Sequence, residues 1–185
     1  MLIRHADPDR DAAACAAIYA PAVTDGVASM EERAPGPEAM ADRIRATTRN
    51  FPWLVAELDG EVAGYAYAGP HRDRPAYRWA CDVAVYVAAG GQRRGVGRAL
   101  YERLFELLAC QGYYEACAGI TVPNAASVGL HETMGFTAIG RYRDIAYKQG
   151  RWLTVGWWQK SLRARGGAAP GPIRPPLRRD EPERP

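Results

Sequence analysis

The 185-residue sequence predicts an α+β fold, a mixed and mostly antiparallel central sheet flanked by helices, and three observations carry that prediction. Asp59-Gly60 stands between two β-rich runs, 53–58 and 61–68, and this dipeptide is a preferred two-residue hairpin turn. A second β-rich run, Trp79 to Val87, leads through a glycine-containing turn into an amphipathic helix. An apolar run, Ala116 to Val122, follows that helix, so a strand–helix–strand unit succeeds an antiparallel hairpin.

In chain order, Leu2-Ile3-Arg4 reads as a short first strand. Asp7 is a fair N-cap for an Ala-rich helix through Tyr19, with Pro21 expected to close it. A second helical pattern spans 37–49, with Met40 and Ile44 four apart. The hairpin and the strand 79–87 come next. Val96, Leu100, Leu104, Leu107 and Leu108 then line one helical face, and Gly112 supplies a C-terminal stop. A short helix is predicted from Asn124 to about Met134, ending at Gly135, and final strands near 136–142 and 154–160.

Composition narrows the possible roles. With 48% hydrophobic and 24% charged residues, the chain reads as one globular domain over 1–162, large enough to bury a core without staples. No run approaches the roughly 18 apolar residues of a membrane span, and the first ten residues are too charged for a signal peptide. Cys15, Cys81, Cys110 and Cys117 have no CxxC spacing, so reduced thiols, a cytoplasmic location and no metal site are expected. Net charge is +3, but residues 1–162 balance and the excess lies in 163–185, a Pro/Arg-rich tail expected to be disordered. A neutral body argues against nucleic acid as a partner.

Four segments can carry chemistry. Gln92-Arg93-Arg94-Gly95-Val96-Gly97 joins a strand to a helix; its glycines let the backbone approach a ligand and aim N–H groups at a phosphate. Asp82 is the second, an aspartate inside a strand, where the residue is depleted. The third places Asn124, Ser127, Val128 and His131 on one helical face, with Asn124 at the N-cap; a lone histidine on a helix, such as His131, is more often packed or exposed than catalytic. The fourth is Arg72, Arg74, Tyr77 and Arg78, where arginines offer bidentate recognition of a carboxylate or phosphate.

These residues resemble a known family. Gln92 to Gly97 is similar to the Q/R-x-x-G-x-G/A acetyl-CoA signature of the GNAT superfamily of N-acetyltransferases. FPWLVAE (51–57), AGYAYAGP (63–70), RPAYRW (74–79), VYV (85–87), LYERL (100–104), PNAASVGLHETMGF (123–136) and YKQGRWLTVGWWQ (147–159) resemble its phosphinothricin and methionine sulfone/sulfoximine acetyltransferase branch. The likeness is collinear over about residues 2–162. It implies a GNAT fold and acetyl-CoA as cosubstrate, held at Gln92, Arg93, Arg94, Gly95, Val96, Gly97 and Arg98. It further implies that the strand edge at Val85, Tyr86 and Val87, with Asn124 and Ser127, receives the pantetheine arm. The implied acceptor is a small molecule, an amino acid or analogue with a free α-amine, bounded by Met30, Arg74, Tyr77 and Arg78. The branch commonly forms dimers, so a homodimer is expected. Two positions depart from the pattern: Ala80-Cys81-Asp82 stands where the branch has Thr-Val-Glu, and Met30 where it often has an aromatic residue.

A base must take the proton of the incoming ammonium, and Asp82 is the candidate, acting through a water because it is short. His131 is a candidate proton donor to the leaving thiolate. Cys81 falls on the opposite strand face from Asp82, which argues against an acetyl-cysteine route. The rival readings are acetylation of another amine (a polyamine, an aminoglycoside or a protein N-terminus) and a silent acetyl-CoA-binding module.

Overall fold

The computed structural model describes residues 1–176. The elements in order are β1 (Leu2–His5), α1 (Pro8–Thr24), α2 (Pro37–Thr47), β2 (Trp53–Leu58), β3 (Glu61–Pro70), β4 (Ala80–Val87), α3 (Val96–Gln111), β5 (Glu115–Val122), α4 (Ala125–Thr133), β6 (Thr137–Lys148) and β7 (Arg151–Ser161). They build one sheet in the order β1-β2-β3-β4-β5-β7-β6. All neighbours are antiparallel except β4 and β5, which run parallel. The predicted α+β class is the one found.

Alternation along the strands separates two cores. One side packs Leu54, Ala66, Cys81, Val83, Ala116 and Ala118 under α3 through Val96, Leu100, Leu104 and Leu108. The other packs Trp53, Val55 and Tyr65 under α1 and α2 through Cys15, Tyr19, Met40 and Ile44. Asp59 and Gly60 have φ of 53° and 86°, the left-handed pair that the hairpin turn requires. Gly112 ends α3 at φ 109°, accepting the chain reversal that a side chain would resist.

Three elements differ from expectation. Pro21 does not close α1, which continues to Thr24. Proline forfeits one helical hydrogen bond, and here the last turn is kept by the Asp25 N–H to the Pro21 carbonyl and by burial of Val23. The last two strands are far longer than their sequence pattern, because β6 carries two register shifts that break its alternation. Gln149 and Gly150, at φ 50° and 76°, join them in a second tight turn. Residues 163–176, where composition suggested disorder, have defined partners. The Trp79 indole donates to the Gly171 carbonyl at 2.8 Å, the Arg174 N–H donates to Gln111, Arg165 pairs with Glu115, and Ile173 packs on the α3-side core. The rest of that tail, 177–185, lies outside the described residues.

A charged cluster ties β1, α1 and β2 together. Arg4 grips Asp11 with two hydrogen bonds of 2.6 and 2.7 Å and reaches Glu57, while the Asp7 N–H donates to the Asp11 carboxylate at 2.6 Å. Asp11 is fully buried. Burial works to raise its carboxyl, but the bonds from Arg4 and Asp7 prevail and hold it below the usual carboxylate value. Asp11→Ala leaves Arg4 with Glu57 as its remaining carboxylate partner and should cost about 3 kcal/mol, the low end for breaking a buried pair, read from urea unfolding. A carboxyl lowered in the folded state stabilises above the unfolded-state value and stops doing so as pH falls through the folded one. The stability gap between the wild type and Asp11→Asn should therefore narrow on acidification.

Candidate functional site

β4 and β5 pair only at Ala80–Glu115, Cys81–Ala116 and Asp82–Cys117, and then diverge. β5 stays joined to β7 along its whole length and β4 to β3, so the gap opens between two otherwise continuous halves of the sheet. The β5-facing backbone groups of β4 beyond Asp82 have no strand beside them. A cleft of about 650 Å³ lies at this opening. Its lining includes Tyr86, Val87, Gln92, Thr121 and Asn124 from the sheet side, and Ala17, Ile18, Pro21 and Ala22 of α1 opposite. Four residues expected to hold a cofactor, Tyr86, Val87, Gln92 and Asn124, thus share one cleft.

The remaining cofactor candidates contribute backbone more than side chain. Val85 and Val87 turn their side chains into the α3-side core, and Val96 is buried. Gly95 precedes α3 at φ 79°, and a Cβ there would meet nothing within 4 Å, so the turn is open on that side. The first N–H groups of α3 have no intrahelical acceptors and carry the positive end of its dipole. Gly97 has a second role: a Cβ would approach Leu130 to 3.1 Å, so the glycine also allows α3 and α4 to pack. Arg93 has φ 59°, Arg94 lies 3.8 Å from Asp59, and Arg98 bonds Glu102 at 2.8 Å; all three are exposed. An extended, amide-bearing ligand ending in a pyrophosphate fits this combination of unpaired strand edge and open glycine turn.

Asn124 caps α4, its side chain accepting from the Ser127 N–H at 3.1 Å. His131 is not beside Asp82. It is buried on the α3 side of the sheet, where Nδ1 donates to the Ser127 carbonyl at 2.7 Å and Nε2 accepts from the Tyr101 hydroxyl at 2.9 Å. Burial pulls its basicity below that of an ordinary imidazole. Both ring nitrogens are engaged, and the ring packs against Phe136, so the helical spacing that singled it out describes a core histidine.

Asp82 lies on the opposite face, at the point where β4 and β5 part. Its nearest partner was not foreseen: His71, just beyond β3, is 2.6 Å away from Nδ1 to Oδ1. Burial raises the Asp82 carboxyl, and the His71 bond and the charges of His71 and Arg72 work against this. The Asp82 side chain keeps 38% of its exposure, so solvent and a small ligand reach it. Around it stand Cys117 across the pairing, Arg72 over the Trp157 ring at 5.7 Å, and Trp157 within 6.0 Å of His71. The buried Trp157 indole N–H has no hydrogen-bond partner. His71, Cys117 and Trp157 carry no motif; only strand pairing gathers them.

The expected acceptor residues divide. Tyr77 is 46% exposed and 6.0 Å from His71. Arg78 is committed elsewhere, donating to the Pro75 carbonyl at 2.9 Å and stacking on Trp79. Arg74 precedes the short helical turn Pro75–Tyr77 and is exposed, and Met30 is exposed in the loop between α1 and α2.

Residues 3–157 match the family model described as acetyltransferase (GNAT) domain. The chain belongs to the GNAT acetyltransferase family. It is 43% identical over 139 residues to the phosphinothricin N-acetyltransferase of Streptomyces viridochromogenes, covering 75% of each chain. It is 35% identical over 163 residues to the L-methionine sulfoximine/L-methionine sulfone acetyltransferase of Salmonella typhimurium, covering 88% of this chain and 95% of that one. Among solved structures it resembles a GNAT superfamily phosphinothricin acetyltransferase from Sinorhizobium meliloti in complex with acetyl-CoA. That match has a TM-score of 0.86 and 32% identity over 92% of both chains. Acetyl-CoA is the cosubstrate of this GNAT enzyme, and the splayed strands and glycine turn fit it.

Gly95→Val tests the turn in isolation, since open space surrounds the position. It should cost roughly 1–2 kcal/mol of stability through its left-handed backbone. It should raise the acetyl-CoA dissociation constant by roughly tenfold or more by calorimetry, the worth of one good hydrogen bond.

Proposed function

We propose that the protein transfers the acetyl group of acetyl-CoA to the α-amine of a small amino acid or analogue of the phosphinothricin, methionine sulfone or methionine sulfoximine type, with Asp82 as base. The observation that carries this reading is the position of Asp82: on the cleft-side face of β4, at the last paired residue before the strands part, half-exposed and hydrogen-bonded to His71. When bound, acetyl-CoA supplies an acyl group activated as a thioester. The N–H groups of α3's first turn and the unpaired edge of β4 hold and orient it.

An amine arrives mostly as ammonium and must lose a proton before it can attack. Asp82 accepts that proton through one water, since aspartate is a methylene shorter than the family's glutamate. His71 orients the carboxylate by occupying Oδ1, leaving the other oxygen for the water. Arg72, exposed and lying over the Trp157 ring, receives the acceptor's carboxylate. No covalent enzyme intermediate is required, and Cys81, buried on the other face, has no part.

The proposal extends to a homodimer in the cytoplasm. β6 is the last strand of the sheet and is exposed along nearly its whole length, carrying Ile139, Tyr142, Ile145 and Tyr147 beside Trp152 of β7. An apolar edge of that kind calls for cover, and a second copy supplies it. All four cysteines are unpaired, as suits a reducing compartment, and no described helix is long and apolar enough to cross a membrane.

Three measurements test this reading. Release of CoA thiol should accompany turnover of phosphinothricin, methionine sulfone or methionine sulfoximine. Asp82→Asn should slow it by roughly 10²–10⁴-fold with acetyl-CoA binding retained, and Asp82→Glu should remain active. Arg72→Ala should cost roughly 1.5–3 kcal/mol in kcat/KM for a carboxylate-bearing acceptor and far less for its amide, whereas Arg74→Ala should cost less than either. Ile145→Asp should shift the mass seen by sedimentation from dimer to monomer.

A further inference from the structure

We infer that His71, Asp82 and Cys117 form a binding site for a zinc-class divalent cation, and that a cation held there blocks acetyl transfer. The first part stands on geometry alone; the second rests on the reading of Asp82 as base. The three residues come from separate stretches: the segment after β3 and the third residues of β4 and of β5. They offer one nitrogen, one carboxylate oxygen and one sulfur, all within 4.8 Å of one another. Imidazole and thiolate together select zinc, cobalt or copper over magnesium or calcium, which prefer all-oxygen shells.

The geometry needs only side-chain movement. A tetrahedral cation with bonds of about 2.0–2.3 Å sets its donors roughly 3.5 Å apart. His71 and Asp82, now 2.6 Å apart, must open by about 1 Å, while Cys117 closes on both. His71 lies outside the strands, and the Asp82 side chain is 38% exposed. Cys117 is fixed between β4 and β7 by strand pairing. The exposure of Asp82 leaves a fourth position to water, the arrangement of an accessible rather than a closed zinc site. Glu115, two residues before Cys117 in β5, is already paired with Arg165, and the charge of Arg72 opposes a cation. On binding, the thiol proton leaves to solvent, the imidazole proton moves from Nδ1 to Nε2, and the cation takes the freed sulfur, nitrogen and carboxylate lone pairs. Nothing is oxidised or reduced.

Cobalt(II) added to the full chain reads the site independently of turnover. One equivalent should bind with a thiolate-to-cobalt charge-transfer band in the near ultraviolet. Cys117→Ser should abolish the band; His71→Ala should keep it but weaken binding by more than about tenfold. Cys110→Ser, which removes the exposed thiol on α3, should change neither. Zinc should inhibit the wild type reversibly, with activity restored by chelator, and Cys117→Ser should turn over normally and resist zinc. Absence of the band in the wild type, its loss in Cys110→Ser instead of Cys117→Ser, or equal zinc inhibition with and without Cys117 would each overturn the site. A protein that shows the band but acetylates no amine refutes the acetyl-transfer reading alone. One that acetylates through Asp82 but shows no band refutes the metal site alone.

Discussion

The parting of β4 from β5 is the constraint on which the rest depends. A buried strand edge must find partners for its N–H and C=O groups, and ordinarily the next strand provides them. Here that provision stops after Asp82 and Cys117. The cost is contained because each strand keeps its other neighbour, β3 on one side and β7 on the other. What remains is a short row of unsatisfied backbone opening on solvent. Such a row has the right chemistry for an extended ligand whose own amides need partners. Because β4 leads through a single helical turn, Ala89–Gly91, into the turn at 92–95, the same strand also delivers the N-terminus of α3 to the far end of the cleft.

The parity of β4 decides which side chains stand where the strands part. Cys81 and Val83 are sealed under α3, whereas Asp82 between them faces the other way. A shift of one residue would bury a carboxylate among leucines and leave an apolar side chain at the opening. On its own face the aspartate is still partly desolvated, which favours its neutral form, and His71 and Arg72 offset part of that without cancelling it. A carboxyl raised in this way holds a proton more readily than an exposed aspartate, which is what the proposed role of base asks of it.

Much of this was legible in the sequence, for local reasons. Asp59-Gly60, the leucine spacing of α3, its glycine stop and the Asn124 cap are each written within a few residues, and the structure uses each as read. The helical spacing of Asn124, Ser127 and His131 was also correct, but spacing does not say which way a face points, and His131 points into the core. His71, Cys117 and Trp157 could not have been found locally. They meet Asp82 only through the pairing of β3 with β4, β4 with β5 and β5 with β7. The long β6–β7 hairpin escaped for a related reason: its bulges erase the two-residue rhythm by which a strand is recognised. Composition marked the region after 162 as unable to build a core of its own, which says nothing of Trp79, Glu115 and Gln111 waiting to receive it.

The turn between β6 and β7 reaches back to the beginning of the chain. Lys148, though buried, donates to the carbonyls of Val23 and Ser29 at 2.7 and 2.8 Å, and Gln149 donates to those of Thr24 and Gly26. These contacts join residues 119 to 125 positions apart, and they secure the segment that forms one wall of the cleft. During synthesis α1 and its loop emerge long before their clamp does. The wall therefore rests on its early contacts, such as Tyr19 with Ser29 and Glu31, until the turn at 148–150 has left the ribosome and the clamp can close on it.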